Sequence, residues 1–454
     1  MNLSVIVLAA GKGSRMRSKL PKVLHDLAGR PLLKFVTRAA QSLNPHMTVV
    51  VYGHGGESVR EALADETLEW VEQAEQLGTG HAVEHAMPGI ADEDSVLVLY
   101  GDVPLIESAT LQAMCEPVSS SVMSLLTTRL DNPHGYGRIV RDADDKVLRI
   151  VEQKDASEAE QQIDEINTGI LAANAKALRG WLAELENNNA QGEFYLTDII
   201  ALAVRDKVEI ETFAPASIEE VQGVNDRAQL ATLERHYQLS EAQRLMREGL
   251  GLRDPARFDL RGELSFGSDV VIDVNAVIEG TVTLGDGVTI GPSCVIRNCN
   301  IADGVEIQAN CVLEDATIGE QSRIGPFARL RPEAHLADHT HIGNFVEIKK
   351  SVIGSGSKVN HLSYVGDTTI GSRVNIGAGT ITCNYDGAYK HRTIIGDDVF
   401  VGSDSQLVAP VEIGAGATIG AGSTITRDTP PGELSLTRSK QKIVSGWKRP
   451  KKEK

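Results

Sequence analysis

A glycine-rich loop close to the start of the chain has the residue types that bind phosphate groups. It reads L-A-A-G-K-G-S-R-M over residues 8–16 and follows a short apolar segment. Gly11 and Gly13 let the backbone approach an anion, a following helix start would face it with N–H groups, and Arg15 and Lys22 add positive charge. The loop is neither a Walker A motif nor a complete dinucleotide fingerprint, whose third glycine is a methionine here. A plain tight turn with solvated cations is the alternative.

The second candidate is the carboxylate of Asp102, in the segment Y-G-D-V-P-L that follows the apolar run Val96–Tyr100. At the carboxyl end of a buried strand this carboxylate can reach a triphosphate and bind Mg²⁺, which keeps several waters and bridges phosphate oxygens. The alternative is a turn aspartate before Pro104. Asn225 is either a second oxygen ligand or only the N-cap of the helix predicted after it.

The third candidate is His361, in the segment V-N-H-L-S-Y-V-G. A neutral histidine is a suitable general base for a reaction in which an amine loses a proton. Because the chain has 12 histidines, a surface or intersubunit histidine is the alternative. Cys383 has no identifiable partner base, so we expect a packed thiol and not a covalent acyl carrier. Other polar residues stand out nearby: Arg331, Lys349, Tyr364, Asn375, Asn384 and Tyr385.

The first two candidates lie in a region where short apolar runs alternate with amphipathic stretches. This alternation predicts an α/β fold with a mostly parallel, doubly wound sheet, which binds ligands at the carboxyl ends of its strands. The predicted strands are Ser4–Ala10, Val49–Tyr52, Val96–Tyr100 and Val122–Leu126, and the predicted helices include Leu32–Leu43 and Ser58–Leu63.

A polar stretch from Asp226 to Arg247 has apolar residues at helical spacing, arginines in its last turn and Gly249 after it, which is typical of a helix and its end. We therefore expect three parts: a catalytic domain over residues 1–227, a linker helix over 228–248 and a second domain over 249–454.

The second domain repeats an aliphatic residue at almost every sixth position. Such hexapeptides form a left-handed parallel β-helix, in which three short strands close one triangular coil with the aliphatic side chains inside. An insertion, T-I-T-C-N-Y-D-G-A-Y-K-H-R-T, interrupts the repeat, and insertions in solenoids often build binding sites. The repeated residues are Ile272, Ile278, Leu284, Ile290, Ile296, Ile301, Ile307, Leu313, Ile318, Ile324, Leu330, Leu336, Ile342, Ile348, Ile353, Val359, Val365, Ile370, Ile376, Ile395, Val401, Leu407, Ile413, Ile419 and Ile425.

Composition excludes several classes of protein. The 45 basic and 62 acidic residues give a net charge of −17, which argues against a broad nucleic-acid surface. No apolar stretch is long enough for a membrane span, and the N-terminal apolar run is expected to be a strand and not a signal peptide. Five scattered cysteines without a CxxC pair indicate a reducing compartment, the cytoplasm.

Further motifs occur in an order that resembles the sugar-phosphate nucleotidyltransferases: L-P-K-V-L-H, Q-L-G-T-G-H-A, Y-G-D-V-P-L, G-Y-G-R-I, E-I-N-T-G and G-V-N. With the hexapeptides behind them, the whole chain resembles the bacterial family that joins an N-acetylglucosamine-1-phosphate uridyltransferase to a glucosamine-1-phosphate N-acetyltransferase. The resemblance implies that catalytic Arg15 and Lys22 hold phosphates and that Asp102 and Asn225 bind Mg²⁺. It also implies a set of residues around UTP and the sugar nucleotide: Leu8, Ala9, Ala10, Gly11, Lys22, Gln73, Gly78, Thr79, Tyr100, Gly101, Asp102, Gly137, Glu152, Asn167 and Asn225.

For the β-helix, the same resemblance implies that His361 is the general base of acetyl transfer. It places Arg331, Lys349, Tyr364 and Asn375 around the sugar phosphate. The residues implied to contact acetyl-CoA are Ala378, Asn384, Tyr385, Ser403, Ala421 and Arg438. Tyr364 and Asn384 are expected near His361, to orient it or to polarise the thioester. Ser14 and Gly420 are small departures, since many relatives have threonine and some have alanine there.

The implied function is two-step synthesis of UDP-N-acetylglucosamine, which serves cell-wall and lipopolysaccharide synthesis. Glucosamine 1-phosphate is first acetylated from acetyl-CoA, and N-acetylglucosamine 1-phosphate then reacts with UTP and releases pyrophosphate. The family implies a homotrimer, with no nucleic acid and no membrane insertion. The first alternative is a uridyltransferase alone, with the β-helix as a trimerising scaffold. The second is a non-enzymatic binding module, against which the N-terminal loop and Y-G-D argue.

Overall fold

The computed structural model gives the chain two compact units, divided between Tyr237 and Gln238. Met1, Lys12 of the glycine-rich loop, His54 and the last two residues, Glu453 and Lys454, lie outside the described residues. The structure describes residues 2–11, 13–53 and 55–452.

The first unit alternates strands and helices as expected. Its strands are β1 (Leu3–Ala9), β2 (Met47–Tyr52), β3 (Glu69–Glu72), β4 (Ser95–Tyr100), β5 (Val122–Arg129), β6 (Arg138–Arg141), β7 (Val147–Val151), β8 (Glu165–Asn174) and β9 (Glu209–Phe213). Its helices are α1 (Leu32–Gln41), α2 (Gly56–Ala62), α3 (Thr79–Ala86), α4 (Ser108–Cys115), α5 (Ala175–Leu182) and α6 (Ile199–Arg205). Short 3₁₀ turns and a two-residue strand pair complete it: Ser14–Met16, Lys22–Leu24, Asp26–Leu27, Arg30–Pro31, Met87–Gly89, Glu160–Gln162, Leu196–Asp198 and Glu219–Val221.

The sheet of this unit has the order β9-β5-β8-β4-β1-β2-β3. β1 is parallel to both β2 and β4, so their carboxyl ends meet at one edge of the sheet. The antiparallel pairings are those of β8 with β4, β5 and β6, and that of β6 with β7 in a hairpin. The predicted α/β fold with a mostly parallel sheet is therefore confirmed.

The expected helix start directly after the glycine-rich loop is wrong. The loop leads into a single 3₁₀ turn, Ser14–Met16, and the first α-helix begins only at Leu32. Gly13 (φ 58°) and Arg17 (φ 49°) flank the turn in the left-handed region, a conformation that a right-handed helix cannot continue through. The loop therefore presents backbone amides and cations without an α-helix dipole.

A helix of 21 residues, α7 (Arg227–Arg247), stands where the linker helix is expected. The second unit begins within it, and Gln238 anchors its second half through two bonds to the backbone of Leu260, one donated and one accepted, at 2.9 and 2.7 Å. Among the described residues, no helix has the length and apolar character needed to cross a membrane.

The second unit is the predicted β-helix. Its strands are short and parallel, and coil follows coil with a spacing of 17 or 18 residues, as in the pairs Ile307–Ile324 and Ile324–Ile342. All the repeated aliphatic residues are buried in one continuous core. Two coils differ in spacing: the insertion lengthens one to 401 − 376 = 25 residues, and the last, from Thr418 to Leu434, has 434 − 418 = 16.

The strands of the β-helix form two sheets. The first contains Gly251–Leu252, Val271–Ile272, Thr289–Ile290, Glu306–Ile307, Arg323–Ile324, His341–Asn344, Lys358–His361, Asn375–Ile376, Phe400–Val401, Thr418–Ile419 and Leu434–Ser435. The second contains Phe258–Phe266, Ala276–Leu284, Val295–Arg297, Asn300–Ile301, Val312–Glu314, Ala316–Ile318, Arg329–Leu330, Ala334–Leu336, Glu347–Lys349, Ser351–Ile353, Tyr364–Gly366, Thr368–Ile370, Ile381–Cys383, Thr393–Ile395, Gln406–Val408, Val411–Ile413 and Thr424–Ile425. A 3₁₀ turn, Pro255–Arg257, precedes the first strand of the second sheet.

Candidate active sites

The first unit has a cavity of about 490 Å³ at the carboxyl ends of β1 and β4. It is also lined by Gln76, the first residue of the motif Q-L-G-T-G-H-A, which was not among the predicted site residues and whose side-chain amide donates to the carbonyl of Ala10. The cavity therefore lies where a doubly wound sheet binds ligands. Ten of the residues predicted from the sequence line it: Leu8, Ala9, Ala10, Gly11, Lys22, Gln73, Gly78, Thr79, Tyr100 and Asp102.

The polar groups at one end of this cavity converge on Lys22. Its ammonium contacts Asp102 Oδ2 and lies 3.4 Å from Asn225 Oδ1, which also accepts a hydrogen bond from Arg15 at 2.8 Å. A backbone bond from Val224 N to the Asp102 carbonyl, 2.9 Å long, holds the two segments together. Four residues that lie up to 210 positions apart in the sequence thus form one cluster: Arg15, Lys22, Asp102 and Asn225.

The N-cap of α7 is Asp226 and not Asn225. Asp226 Oδ1 accepts from the backbone amides of Ala228 and Gln229, each at 2.9 Å. The Asn225 side chain is therefore free of that role and points its oxygen to the cations of the cluster. Of the two alternatives for Asn225, the structure removes the capping one.

The oxygens of Asp102 and Asn225 suit a Mg²⁺ ion that is completed by substrate and water. Both approach the same ammonium group, so they already face one cationic position. Among residues 2–11, 13–53 and 55–452 there is no group of three or more His, Cys, Asp or Glu side chains that could hold a metal alone. Two protein oxygens are enough for Mg²⁺ when phosphate oxygens and waters supply the rest.

Tyr100 forms another wall of the cavity, and its ring packs on the backbone of Gly169. Gly169 has φ 88°, and a methyl group there would lie 2.4 Å from the ring, so the position requires glycine. The Asn167 side chain accepts from the Gly169 amide at 3.0 Å. Burial, reinforced by the charges of Glu152 and Asp102, raises the pKa of Tyr100, which is therefore a neutral hydroxyl at physiological pH.

Glu152 and Gly137, for which the resemblance implies sugar contacts, lie next to each other but are not among the residues that line the cavity. The carbonyl of Gly137 accepts from the Asn167 amide at 2.9 Å, and a methyl group on Gly137 would lie 3.3 Å from the Glu152 carboxylate. Burial raises the pKa of Glu152, while a 3.1 Å bond from the Thr197 hydroxyl opposes that rise. Gly101, the remaining predicted residue, donates its amide to the Leu8 carbonyl at 2.9 Å and so joins β4 to β1.

In the second unit, His361 makes a contact that sequence reasoning missed. Its Nδ1 lies 2.8 Å from Asn344 Oδ1, and the two residues are register partners in adjacent coils. Because an amide oxygen only accepts, Nδ1 carries a proton in this bond, so Nε2 is the nitrogen with the lone pair in the neutral form of the ring. The exposed ring is thus held in the tautomer that a general base needs.

Cations gather on the neighbouring face, in the coils around His361. Arg331 bonds Glu347 at 2.8 Å, and this hydrogen bond raises the pKa of Arg331. Lys349 lies beside Lys390, and the contact between these like charges lowers the pKa of Lys390. Lys390 was not singled out from the sequence, although its place in the insertion was a signal for it.

Tyr364 and Asn384 pair with each other and not with the imidazole of His361. The Asn384 side chain donates to the Tyr364 hydroxyl at 3.4 Å and to Asp367 Oδ2 at 2.5 Å. Gly366 leaves room for them, since a methyl group there would lie 2.4 Å from the Tyr364 oxygen. The His361 ring is therefore oriented by Asn344, and Tyr364 and Asn384 form a separate polar group.

The residues implied for acetyl-CoA stack along the last coils of the β-helix. The carbonyl of Ala378 accepts from Asp404 N at 2.7 Å, and that of Ser403 accepts from Gly422 N at 2.8 Å, so residues 378, 403 and 421 lie in successive coils. The Arg438 side chain passes within 3.6 Å of the position that a methyl group on Gly422 would take.

Three further residues of this region have defined places. Tyr385 is exposed in the insertion, with its hydroxyl bonded to the Gly387 carbonyl at 2.6 Å. Asn375 lies on the strand that pairs with Lys358–His361 in the next coil, and its register partner there is Lys358. Burial raises the pKa of the Cys383 thiol, which makes it a poor nucleophile and agrees with the expected absence of a covalent acyl intermediate.

Comparisons with known proteins agree with this architecture. The family model of the MobA-like NTP transferase domain matches residues 5–180, that of the GMPPB C-terminal domain matches 260–344, and that of the bacterial transferase hexapeptide (six repeats) matches 392–427. A curated relative, "Bifunctional protein GlmU" of Thiobacillus denitrificans, is 62% identical over 452 residues, which cover 100% of this chain and 98% of that protein.

Two solved structures resemble the chain over 52% of its length. One is a nucleotidyl transferase from Methanothermobacter thermautotroptrophicus, with 21% identity, 97% of that chain covered and a TM-score of 0.39. The other is a UDP-glucose pyrophosphorylase complexed with UDP-glucose, with 16% identity, 98% coverage and a TM-score of 0.44.

An NTP transferase domain joined to a hexapeptide transferase β-helix defines a two-domain transferase. The chain belongs to the family of the bifunctional GlmU proteins. The predicted function is thereby confirmed at the level of the family: the chain is a bifunctional enzyme, a uridyltransferase and an N-acetyltransferase, that makes UDP-N-acetylglucosamine.

Proposed function

We propose that the cavity of the first unit binds UTP and N-acetylglucosamine 1-phosphate, and that the residues around His361 acetylate glucosamine 1-phosphate with acetyl-CoA. The β-helix then makes the substrate that the first unit consumes. The observation that carries this proposal is the bond between His361 and Asn344 at 2.8 Å. A β-helix that served only as a scaffold would need no exposed histidine held with one nitrogen free.

For uridylyl transfer, an oxygen of the sugar 1-phosphate attacks the α-phosphorus of UTP and pyrophosphate leaves. That oxygen is anionic at neutral pH, so no general base is needed and the protein supplies alignment and charge neutralisation. Lys22 and Arg15, which are joined through Asn225, hold the phosphates. Asp102 and Asn225 hold Mg²⁺, which when bound supplies charge neutralisation on the phosphate oxygens. Their shared approach to one cation supports this assignment.

For acetyl transfer, the amine of glucosamine 1-phosphate attacks the thioester carbonyl and the CoA thiolate leaves. His361 Nε2 accepts the proton of the amine, because Nδ1 is committed to Asn344. Arg331, Lys349 and Lys390 supply the positive charge that a sugar phosphate requires, and Lys390 is an addition to the set expected from the sequence.

A homotrimer is part of the proposal, supported by an apolar corner beside His361. Phe327 and Phe345 stack there with ring centroids 5.3 Å apart, and Leu362 follows in the next coil. Their exposed fractions, 49%, 55% and 64%, are large for apolar side chains. We expect Phe345→Glu to yield monomers in sedimentation experiments and to abolish acetyl transfer while uridylyl transfer persists. A monomeric variant that still acetylates would contradict the trimeric site.

The cytoplasm remains the proposed location. All five cysteines lie among the described residues and are unpaired, which supports a reducing compartment.

A mass-spectrometric product assay tests the two activities. The full chain receives glucosamine 1-phosphate, acetyl-CoA, UTP and Mg²⁺, with parallel reactions that lack acetyl-CoA or use His361→Ala. We expect UDP-N-acetylglucosamine only from the complete wild-type reaction, and rescue of His361→Ala by supplied N-acetylglucosamine 1-phosphate. Asp102→Asn is the reciprocal variant, and we expect it to accumulate N-acetylglucosamine 1-phosphate. A wild type that uses N-acetylglucosamine 1-phosphate but never acetylates glucosamine 1-phosphate would make the β-helix a scaffold.

A further inference from the structure

The side-chain amide of Gln73 has a fixed orientation at the cavity of the first unit. Gln73 is only 3% exposed and lies directly after β3. Its Nε2 lies 3.0 Å from the Gly78 carbonyl and 3.1 Å from His81 Nδ1. An amide nitrogen has two hydrogens, so these two acceptors use both. The polar atom that remains for a ligand is the acceptor Oε1.

The second of these acceptors depends on the state of the His81 ring. His81 lies in the first turn of α3, stacked on Phe194 with ring centroids 6.4 Å apart and in edge contact with His85 at 4.2 Å. Burial, and after it the charge of His85, lowers the pKa of His81, against the opposing effects of Glu84, Glu75 and the Glu75 backbone carbonyl. The ring is therefore neutral near pH 7, with Nδ1 as an acceptor and the proton on Nε2.

We propose that His81 is a positioning residue that turns the Gln73 oxygen toward the base of the nucleotide and thereby selects uracil over cytosine. The proposal rests on the proposed binding of UTP in this cavity. Uracil presents an N–H donor at N3, which matches an amide oxygen. Cytosine presents an acceptor at N3, which would face that oxygen without a hydrogen between them.

Without an acceptor at position 81, only the Gly78 carbonyl still holds the amide nitrogen, so rotation of the amide to offer its N–H group to the base costs less. Sites that bind a substrate through a specific hydrogen bond reject a mismatched analogue strongly, because buried polar groups are left unpaired. Loss of the fixed orientation removes that rejection. We therefore expect the ratio of kcat/KM for UTP to that for CTP to fall by about 10-fold or more when the acceptor is lost.

The test measures uridylyl and cytidylyl transfer to N-acetylglucosamine 1-phosphate with the full chain and Mg²⁺. His81→Phe keeps a ring to stack on Phe194 but has no acceptor, and His81→Ala is a second variant should the larger ring disturb α3. His81→Asn restores an acceptor near the position of Nδ1. His85→Leu is the matched control, because His85 contacts His81 but is not bonded to Gln73.

We expect the UTP/CTP ratio to fall in His81→Phe and His81→Ala and to be retained in His81→Asn and His85→Leu, with acetyl transfer unchanged in all four. Equal losses with both nucleotides, or an unchanged ratio in His81→Phe and His81→Ala, would overturn the positioning role. A wild type that uses neither nucleotide would instead refute the proposed function, so the two failures are distinguishable.

Discussion

Asn344 gives the most direct test of how the β-helix prepares His361 for catalysis. The Asn344→Ala substitution removes the oxygen that lies 2.8 Å from Nδ1 and leaves the inward-facing aliphatic ladder untouched. The neutral ring can then carry its proton on either nitrogen and can rotate. We expect kcat for acetyl transfer to fall while the KM for acetyl-CoA changes little.

The size of the effect follows from the bond that is lost. A neutral hydrogen bond contributes about 0.5–1.5 kcal/mol net, and the lower half of that range applies because His361 is exposed to competing water. Since about 1.4 kcal/mol is tenfold in rate, kcat should fall about 2- to 5-fold. His361→Ala removes the base itself and should cost about 10²- to 10⁴-fold.

The assay follows release of the CoA thiol with glucosamine 1-phosphate as acceptor. Asn344→Asp keeps an oxygen acceptor and should retain most of the activity, and Asn300→Ala, an exposed asparagine on another strand of the β-helix, is the matched control. An Asn344→Ala variant as inactive as His361→Ala, or one that is fully active, would refute the role of the bond in fixing the tautomer.

Three further outcomes follow from the structure. Gly366→Ala places a methyl group 2.4 Å from the Tyr364 oxygen, so that oxygen must move by about 1 Å, and we expect acetyl transfer to fall about 10²-fold. Uridylyl transfer is the control, and an unchanged rate of acetyl transfer would contradict this prediction. Since Lys349 lowers the pKa of Lys390, Lys390 loses its charge at a lower pH than an ordinary lysine and the KM for glucosamine 1-phosphate should rise early on the alkaline side. In the Lys349→Ala variant, we expect the rise in KM to occur at higher pH. A pH profile of KM that is the same in this variant and in the wild type would contradict the effect of Lys349 on Lys390. Ile342→Ala opens a cavity in the continuous core, and we expect the free energy of unfolding, measured in urea, to fall by about 2–5 kcal/mol. A loss below about 1 kcal/mol would contradict this, because it would mean that the coil collapses into the cavity.

The sequence predicts the fold correctly where a single hydrophobic periodicity determines which side chains are buried. Every aliphatic residue at the six-residue spacing is buried, because each hexapeptide turns that side chain into the interior of the coil. The buried strands of the first unit were recognisable for the same reason, as continuous apolar runs. The antiparallel β8 was not, since direction in a sheet depends on connections that span many residues.

The candidate sites were predictable as lists of residues but not as contacts. The coil length indicates that residue 344 lies next to His361, since 361 − 344 = 17, but not that its side chain turns to the imidazole. Asn225 and Asp226 are both good helix caps, so only the three-dimensional arrangement decides between them. Lys390 lay in a segment without a repeat, where no spacing rule applies.

The position of the residues proposed to contact acetyl-CoA, in the last coils of the β-helix, has a consequence for cooperativity. In a solenoid each coil is stabilised mainly by its two neighbours, so the terminal coils fray at a lower free energy than the central ones. Ala378, Ser403 and Ala421 lie in successive coils of this end, and Arg438 follows the final strand. A ligand that contacts several of those coils stabilises them as a further neighbouring coil would. Binding of the ligand and ordering of the last coils are therefore thermodynamically linked.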